Sequence, residues 1–152
     1  MDKVDFKRSL PSFRAKQGRF DVIEVPEMQY LVIDGHGDPN TSPDFTAAVT
    51  SLYPLAYGLK FFSKLELGRD YVVPPLEGLW WADDMATFTS ARDKSAWYFT
   101  LMLLVPDWLD LSCFTLVSRS WPEILDLFDQ LRGRWRKFGW EYEFVSDRKS
   151  VV

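Results

Sequence analysis

The stretch that decides the fold is Met28-Gln29-Tyr30-Leu31-Val32-Ile33-Asp34, followed by the loop Gly35-His36-Gly37-Asp38-Pro39-Asn40 and the helix start Ser42-Pro43-Asp44. The first segment is rich in β-forming residues and predicts a strand, which the dense cluster of turn residues ends. Ser42 is placed to cap a helix, and proline suits the first helical position. The sequence therefore predicts a strand that passes through a tight loop into a helix.

The predicted helix covers Pro43 to about Lys64 and carries two apolar stripes. One stripe faces the core, and the other consists of Tyr53, Tyr57 and Phe61. Each of these three residues is four residues from the last, so all three lie on one side of the helix. The two tyrosines are candidate ligand contacts because they add hydroxyl groups to apolar rings, whereas core packing is expected for Phe61. The core stripe, at helical spacing, consists of Phe45, Ala48, Val49, Leu52, Ala56 and Leu59.

One acid is framed by prolines and tryptophans in Pro74-Pro75-Leu76-Glu77-Gly78-Leu79-Trp80-Trp81. Strand alternation places Glu77 and Trp81 on one face of this extended segment and Trp80 on the other. A carboxylate surrounded by aromatic surface is costly unless it has a partner. We therefore predict that Glu77, with Trp80 or Trp81, is the polar point of an apolar pocket.

The next segment, Ala96 to Val105, is apolar on both faces and predicts a central strand. It carries Trp97 and Phe99, for which core packing is the alternative to a ligand contact. Cys113 to Val117 predicts a further strand. A second amphipathic helix opens at Ser120-Trp121-Pro122-Glu123 and ends at Gly139, and the last strand covers Trp140 to Val145. The predicted order is strand, helix, strand, strand, then strand, helix, strand.

Composition bounds the class of protein. The 152 residues are the length of one ordinary domain, so a single domain over residues 1–152 is expected. The single cysteine, Cys113, cannot form an internal disulfide, and Met1 to Leu10 lacks the apolar core of a signal peptide, which predicts a cytoplasmic location. No apolar run approaches the roughly 20 residues that span a bilayer, so no membrane partner is expected.

The charge balance argues against nucleic acid as a partner. A net charge of −4 argues against nucleic-acid binding, and the one basic cluster, Arg132, Arg134, Arg136 and Lys137, is interpreted as a solvated helix face. A mildly acidic protein suits a cationic ligand better than an anionic one. The aromatic share of 16% exceeds what a core of this size needs, and surplus aromatic residues commonly line ligand clefts.

The loop after the first strand contains the one histidine, His36, between Asp34 and Asp38. The loop offers no second imidazole or thiolate to share a metal ion with His36, so no metal site is predicted. The Gly-x-Gly portion is too short for a dinucleotide fingerprint, and no cofactor is predicted.

Several motifs together resemble the GyrI-like small-molecule-binding family. They are Tyr30 to Asn40, Leu52-Tyr53-Pro54-Leu55-Ala56-Tyr57-Gly58-Leu59-Lys60, Val73 to Trp81, and Thr100-Leu101-Met102 leading to Pro106-Asp107. The resemblance implies an α+β fold of two strand-helix-strand-strand modules, with an antiparallel sheet and helices packed on one face. The first module would cover about residues 20–108 and a shortened second one about residues 109–148. A cleft between the modules would bind amphipathic, often cationic, aromatic compounds.

The C-terminal third departs from the family pattern. When the chain is aligned on Ser146-Asp147, Tyr142 falls where the family has a pocket glutamate, and Glu143 lies one residue away on the opposite face. The family includes enzymes that hydrolyse cyclopropane rings of DNA-alkylating natural products. The displaced glutamate bears on whether this chain has their hydrolytic machinery. Alternatively, the chain from about Leu109 onward is an unrelated replacement that also supplies a strand, a helix and a strand.

Three functions follow as hypotheses. The first is a binding module for aromatic or cationic small molecules, in a sensor or sequestration role. The second is a hydrolase, with Glu77 activating water and Tyr57 or Tyr142 protonating the leaving group. The third is a protein-interaction module such as a DNA gyrase inhibitor, and an exposed sheet edge would allow homodimers. The predicted ligand contacts are Tyr53, Tyr57, Glu77, Trp80, Trp81, Trp97, Phe99, Tyr142 and Glu143.

Overall fold

The computed structural model describes residues 2–145, with side chains described for residues 2–137. The elements are β1 (Lys3–Val4), α1 (Phe6–Ser9), β2 (Asp21–His36), α2 (Pro43–Glu66), β3 (Asp70–Tyr71), β4 (Glu77–Trp81), β5 (Tyr98–Val105), α3 (Leu111–Ser118), α4 (Pro122–Gln130) and β6 (Arg134–Val145). Four strands form an antiparallel sheet in the order β4-β5-β2-β6, and β1 and β3 form a small parallel pair. The predicted α+β class is confirmed.

The sheet has two unlike faces, which follow from strand alternation. We call the face that packs against α2, α3 and α4 the helix face and the opposite one the far face. In β2, Leu31 and Ile33 point to the helix face, whereas Tyr30 and Val32 belong to a separate apolar cluster on the far face. The predicted packing of helices on one face is confirmed for α2, α3 and α4, and the sheet separates two distinct environments.

The main core lies on the helix face, where α2 buries its predicted stripe. Leu52, Leu55 and Leu59 are fully buried in it. Burying a leucine side chain contributes about 1.5–3 kcal/mol relative to leaving it in water, so this stripe anchors the helix to the sheet. The sheet residues that meet the stripe are Leu31, Ile33, Phe99, Leu101, Leu103 and Val105.

The start of α2 has the predicted cap. The Ser42 hydroxyl accepts a hydrogen bond from the Phe45 N–H at 3.4 Å and donates one to the His36 carbonyl at 3.1 Å. The second bond ties the helix start to the end of β2. Pro54 lies inside α2, which continues to Glu66.

The predicted strand at Cys113 to Val117 is wrong, because these residues belong to helix α3. A short apolar run of this kind cannot be assigned to strand or helix by periodicity alone. Asp110 decides the outcome, since its carboxylate accepts a hydrogen bond from the Cys113 N–H at 3.0 Å and caps the helix. Hydrogen bonds from the Ser112 hydroxyl and the Cys113 N–H lower the pKa of Asp110 to about 2, so the cap is ionised at neutral pH.

The second predicted helix was too long at its C-terminal end. Helix α4 stops at Gln130, and Arg132 adopts a positive φ of 55°. The Gly133 N–H then donates to the Phe128 carbonyl at 2.8 Å, as in a Schellman motif that ends a helix. Strand β6 begins at Arg134, so most of the basic cluster assigned to a helix face lies on a strand.

The predicted second module therefore has a different order in the described residues, namely helix, helix and strand. Its strand β6 does not begin a new sheet but extends the first one by pairing with β2, which at 16 residues is longer than the predicted Met28–Asp34 segment. The alignment point at Ser146-Asp147 lies outside the described residues. In the N-terminal arm, β1 and α1 form and Leu10 packs against the far-face cluster.

Candidate functional site

A row of three rings crosses the far face of the sheet at one end. Trp81 in β4 pairs in register with Tyr98 in β5, and Tyr98 pairs with His36 in β2. The rings of Trp81 and Tyr98 are stacked, with centroids 5.9 Å apart and planes 14° apart. The His36 ring lies 4.5 Å from Tyr98 at a tilt of 49°. Because Trp81 is 42% exposed, this row presents aromatic surface to the solvent.

Glu77 lies on the same face of β4 as Trp81. It opens the strand, is half-buried, and pairs in register with Met102 of β5. Its Oε1 atom is buried. Leu79 stands between Glu77 and Trp81 on the same face and packs against the far-face cluster. The predicted placement of Glu77 and Trp81 on one face is confirmed, and it puts a carboxylate beside an aromatic stack.

The centre of the far face is apolar. Tyr30, Val32, Met102 and Leu104 form its buried cluster. Each of these side chains is at most 5% exposed, so the cluster stabilises the sheet and itself offers little surface to a ligand.

A polar network closes the β2 side of this face. Asp34 accepts hydrogen bonds from the Thr100 hydroxyl at 2.5 Å and from the Arg134 guanidinium at 2.6 Å. Partial burial raises the pKa of Asp34, but these two bonds and the nearby positive charges outweigh it and hold the pKa below its ordinary value. Asp34 is therefore ionised at neutral pH and paired with Arg134. Two further carboxylates lie at the β4 edge, namely Glu77 and Asp83, which accepts a hydrogen bond from the Tyr98 hydroxyl at 3.4 Å.

Three of the predicted ligand contacts lie on the helix face instead. Trp80 packs in the core with its ring centroid 5.6 Å from that of Phe99 and 5.7 Å from that of Trp97. Phe99 is fully buried. Trp97 stacks on Phe88 at 4.7 Å, and its indole N–H donates to the Thr87 carbonyl. These rings form a packed cluster, so the core role left open for Trp97 and Phe99 is the one their contacts support.

The two candidate tyrosines belong to the helix layer. Tyr53 is half-buried against the main core, whereas Tyr57 lines a groove between α2 and the α3–α4 pair. The sheet thus separates both tyrosines from Glu77. Tyr142 and Glu143 lie in the backbone of β6, and their side chains are outside the described part of the chain. The predicted single cleft consequently divides between two faces, and Glu77 with Trp81 is the pair that the fold brings together.

Sequence reasoning missed Tyr98 and His36 as members of the aromatic row. Alternation alone placed Tyr98 on one face of its strand, but its neighbours depend on the pairing register of β4, β5 and β2. The signal that could have found the row is the aromatic residue at the matching end of each of these strands.

The described residues contain neither a membrane-spanning helix nor a metal site. No helix among residues 2–145 is long and apolar enough to cross a lipid bilayer. In the same part of the chain, no three His, Cys, Asp or Glu side chains come together in a way that could hold a metal ion.

Comparisons with known proteins identify relatives by structure. No protein-family model matches the sequence, and no curated protein matches it significantly. A crystal structure of a hydrolase from Listeria innocua superposes with a TM-score of 0.73 at 34% identity, over 91% of this chain and 67% of that one. An uncharacterized conserved protein from Listeria innocua gives a TM-score of 0.72 at 32% identity, over 90% of this chain and 67% of that one. A further structure of a Listeria innocua hydrolase gives 0.70 at 34% identity, over 90% and 66%.

Proposed function

This chain belongs to the family of these Listeria innocua proteins, and we propose that it binds small amphipathic aromatic molecules, preferentially cations, on the far face of its sheet. We further infer that this family is the GyrI-like small-molecule-binding family. Leaving aside β3, which pairs with β1, the order β2, α2, β4, β5 is strand-helix-strand-strand, and it supports that inference because it is the module expected from the resemblance.

The observation that carries the proposal is the placement of Glu77 and Trp81 on one face of β4, with Trp81 stacked on Tyr98. An exposed aromatic pair offers a stacking surface to a flat ligand, and a cation over such a ring gains about 0.5–2 kcal/mol. A half-buried carboxylate attracts positive charge more strongly than a fully solvated one, because the local dielectric is lower. Together these groups select for flat cations.

The surrounding residues fit an amphipathic ligand. Leu79, which is half-buried between Trp81 and Glu77 on this face, continues the apolar surface from the aromatic row toward the carboxylate, whereas Met102 beside it is buried. Along a strand, side chains on one face repeat about every 6.6 Å, so Glu77 and Trp81 are separated by roughly 13 Å at their Cα atoms. At that distance Glu77 acts on a flat cation stacked over Trp81 through space rather than by contact, with an attraction of roughly 1 kcal/mol at an effective dielectric constant of about 20.

We expect the protein to bind aminoacridine, a flat cation at neutral pH, more tightly than acridine, its neutral analogue of the same shape. Titration of the protein with each compound, followed by quenching of tryptophan fluorescence and by calorimetry, measures the difference. A preference of roughly 5- to 30-fold for the cation corresponds to about 1–2 kcal/mol from one partly buried carboxylate. If neither compound gives saturable binding, the proposal fails.

A second candidate function is hydrolysis of an electrophilic cyclopropane. It is favoured by the two relatives described as hydrolases, which are 34% identical to this chain. Glu77 would take a proton from water as the water oxygen bonds to a ring carbon and the strained carbon–carbon bond breaks. The leaving carbon would take its proton from solvent, because neither tyrosine of the predicted pair lies beside Glu77. Tyr57 is in the helix layer, and Tyr142 is in β6, which β5 and β2 separate from β4.

We expect turnover, if the chain is a hydrolase, to depend on Glu77. The protein is incubated with a cyclopropane-bearing DNA alkylator, and the ring-opened, water-added product is followed by chromatography and mass spectrometry. The hydrolase candidate requires product above the rate in buffer and its loss in Glu77→Gln, while Glu123→Gln in α4 retains it. Product formation no faster than in buffer would remove the hydrolase and leave the binding proposal intact.

A further inference from the structure

A groove between α2 and the α3–α4 pair lies on the opposite side of the sheet from Glu77. We call it the helix groove. It has a volume of about 510 Å³. Its floor forms where Gly58 of α2 meets Val117 of α3, since a Cβ atom at Gly58 would lie 2.6 Å from the Val117 Cγ1 atom. Because Gly58 has no side chain, α2 and α3 approach each other closely at the floor of the groove, while the side chains that form its walls stay apart.

The walls of the helix groove are large apolar side chains that remain half in solvent. Tyr57 and Phe61 come from α2, and Leu116 and Trp121 come from α3 and the turn that follows it. Each of the four is between 46% and 54% exposed. Isolated exposed apolar residues are common in proteins, but a contiguous concave set of this kind marks a binding surface, because covering it removes apolar area from water.

Size and chemistry identify the kind of occupant. Small-molecule sites commonly have volumes of about 300–1,000 Å³, and the helix groove falls inside that range. Three of its four wall residues are aromatic, which suits a flat ring system. The lining also includes one charged side chain, the carboxylate of Glu66 in the last turn of α2, which is exposed. A cationic group on the ligand would be complementary to it.

We propose that the helix groove is a second small-molecule site, which takes a flat aromatic ring system bearing one positive charge. The rings lie between Tyr57, Phe61 and Trp121, and the cation points toward Glu66. The site is separate from the far-face site because the sheet and the core of α2 lie between them. Its existence therefore does not depend on binding at Glu77.

Aminoacridine again serves as the probe, and the readout is the number of molecules bound per chain by calorimetry. Binding at the helix groove is expected to be the same in wild type and in Glu77→Gln. Trp121→Ser should weaken the groove component about tenfold, because it removes one stacking wall. Glu66→Gln should weaken it roughly two- to fivefold, since an exposed carboxylate contributes less than a buried one. Circular dichroism checks that both variants are folded, and Glu66→Gln changes an exposed residue near the end of a helix.

The outcomes separate the two sites. Binding in Glu77→Gln that is sensitive to Trp121→Ser and Glu66→Gln supports the helix groove, even if the far face binds nothing. Unchanged binding in both groove variants overturns the proposal while leaving the far-face site standing. Association of the chain into dimers that Phe61→Ser abolishes, without an effect of aminoacridine, would also overturn it and assign the groove to a second copy.

Discussion

Glu77→Gln is expected to weaken binding of aminoacridine at the far face by a factor of about 5 to 30, or roughly 1–2 kcal/mol. The substitution keeps the size of the side chain and removes its charge. One carboxylate oxygen of Glu77 is buried, so its interaction with a bound cation is screened less than that of a surface acid. Binding of neutral acridine should change little. Calorimetric titrations of wild type and variant with both compounds measure the effect.

The matched control is Glu123→Gln in the first turn of α4. It changes the net charge of the chain by the same amount, but it lies in the helix layer rather than on the far face. If both variants lose affinity for aminoacridine equally, the preference for cations arises from overall charge and not from Glu77. Equal losses for aminoacridine and acridine in Glu77→Gln would instead indicate that the residue maintains the local structure of β4.

The first half of the fold was predictable because its signals are local. The cap at Ser42 and the stripe through Leu52 and Leu59 specify α2 without reference to distant residues. The region around α3 was not predictable in this way, since its apolar run suits a strand as well as a helix. The cap at Asp110 and the contact of Val117 with Gly58 decide in favour of the helix, and the second of these is a tertiary contact.

The candidate site was predictable only in part for a related reason. Alternation along one strand correctly joined Glu77 with Trp81. It could not tell which face of the sheet the helices cover, so Trp80, Phe99 and Tyr57 were grouped with them although these residues lie on the other side. The face that the helices cover and the pairing register of the strands are properties of the assembled sheet. They depend on which face buries more apolar area and not on any single segment.

The same distinction applies to the two proposed binding surfaces. The far face has an apolar centre with polar groups at both sides, whereas the helix groove owes its shape to a close contact between two helices. The sheet that separates these surfaces is anchored by the rings packed beneath it, above all by Phe99 under Gly35. Any change that disturbs this packing should therefore affect the fold before it affects either surface.

Gly35→Ala is expected to destabilise the protein by about 3 kcal/mol, which is at the upper end of the cost of overpacking a core. Gly35 in β2 pairs in register with Phe99 of β5, and an added Cβ atom would lie 2.2 Å from the Phe99 Cζ atom. The ring cannot move aside easily, because it is fully buried and contacts both Phe45 and Trp80. Urea unfolding followed by circular dichroism gives the change in the free energy of unfolding.

A second substitution tests whether the clash with the ring is the cause. Phe99→Leu shortens the side chain that meets the new methyl group, so Gly35→Ala should cost about 1–2 kcal/mol less in that background than in wild type. Gly35 does not have a positive φ, which means that backbone strain contributes little to the result. If Gly35→Ala costs the same with Phe99 and with Leu at that position, the ring does not hold β2 and β5 together in the way the packing implies. A coupling of the expected sign would place the close contact of Gly35 with Phe99 among the interactions that keep Trp81, Tyr98 and His36 in one row.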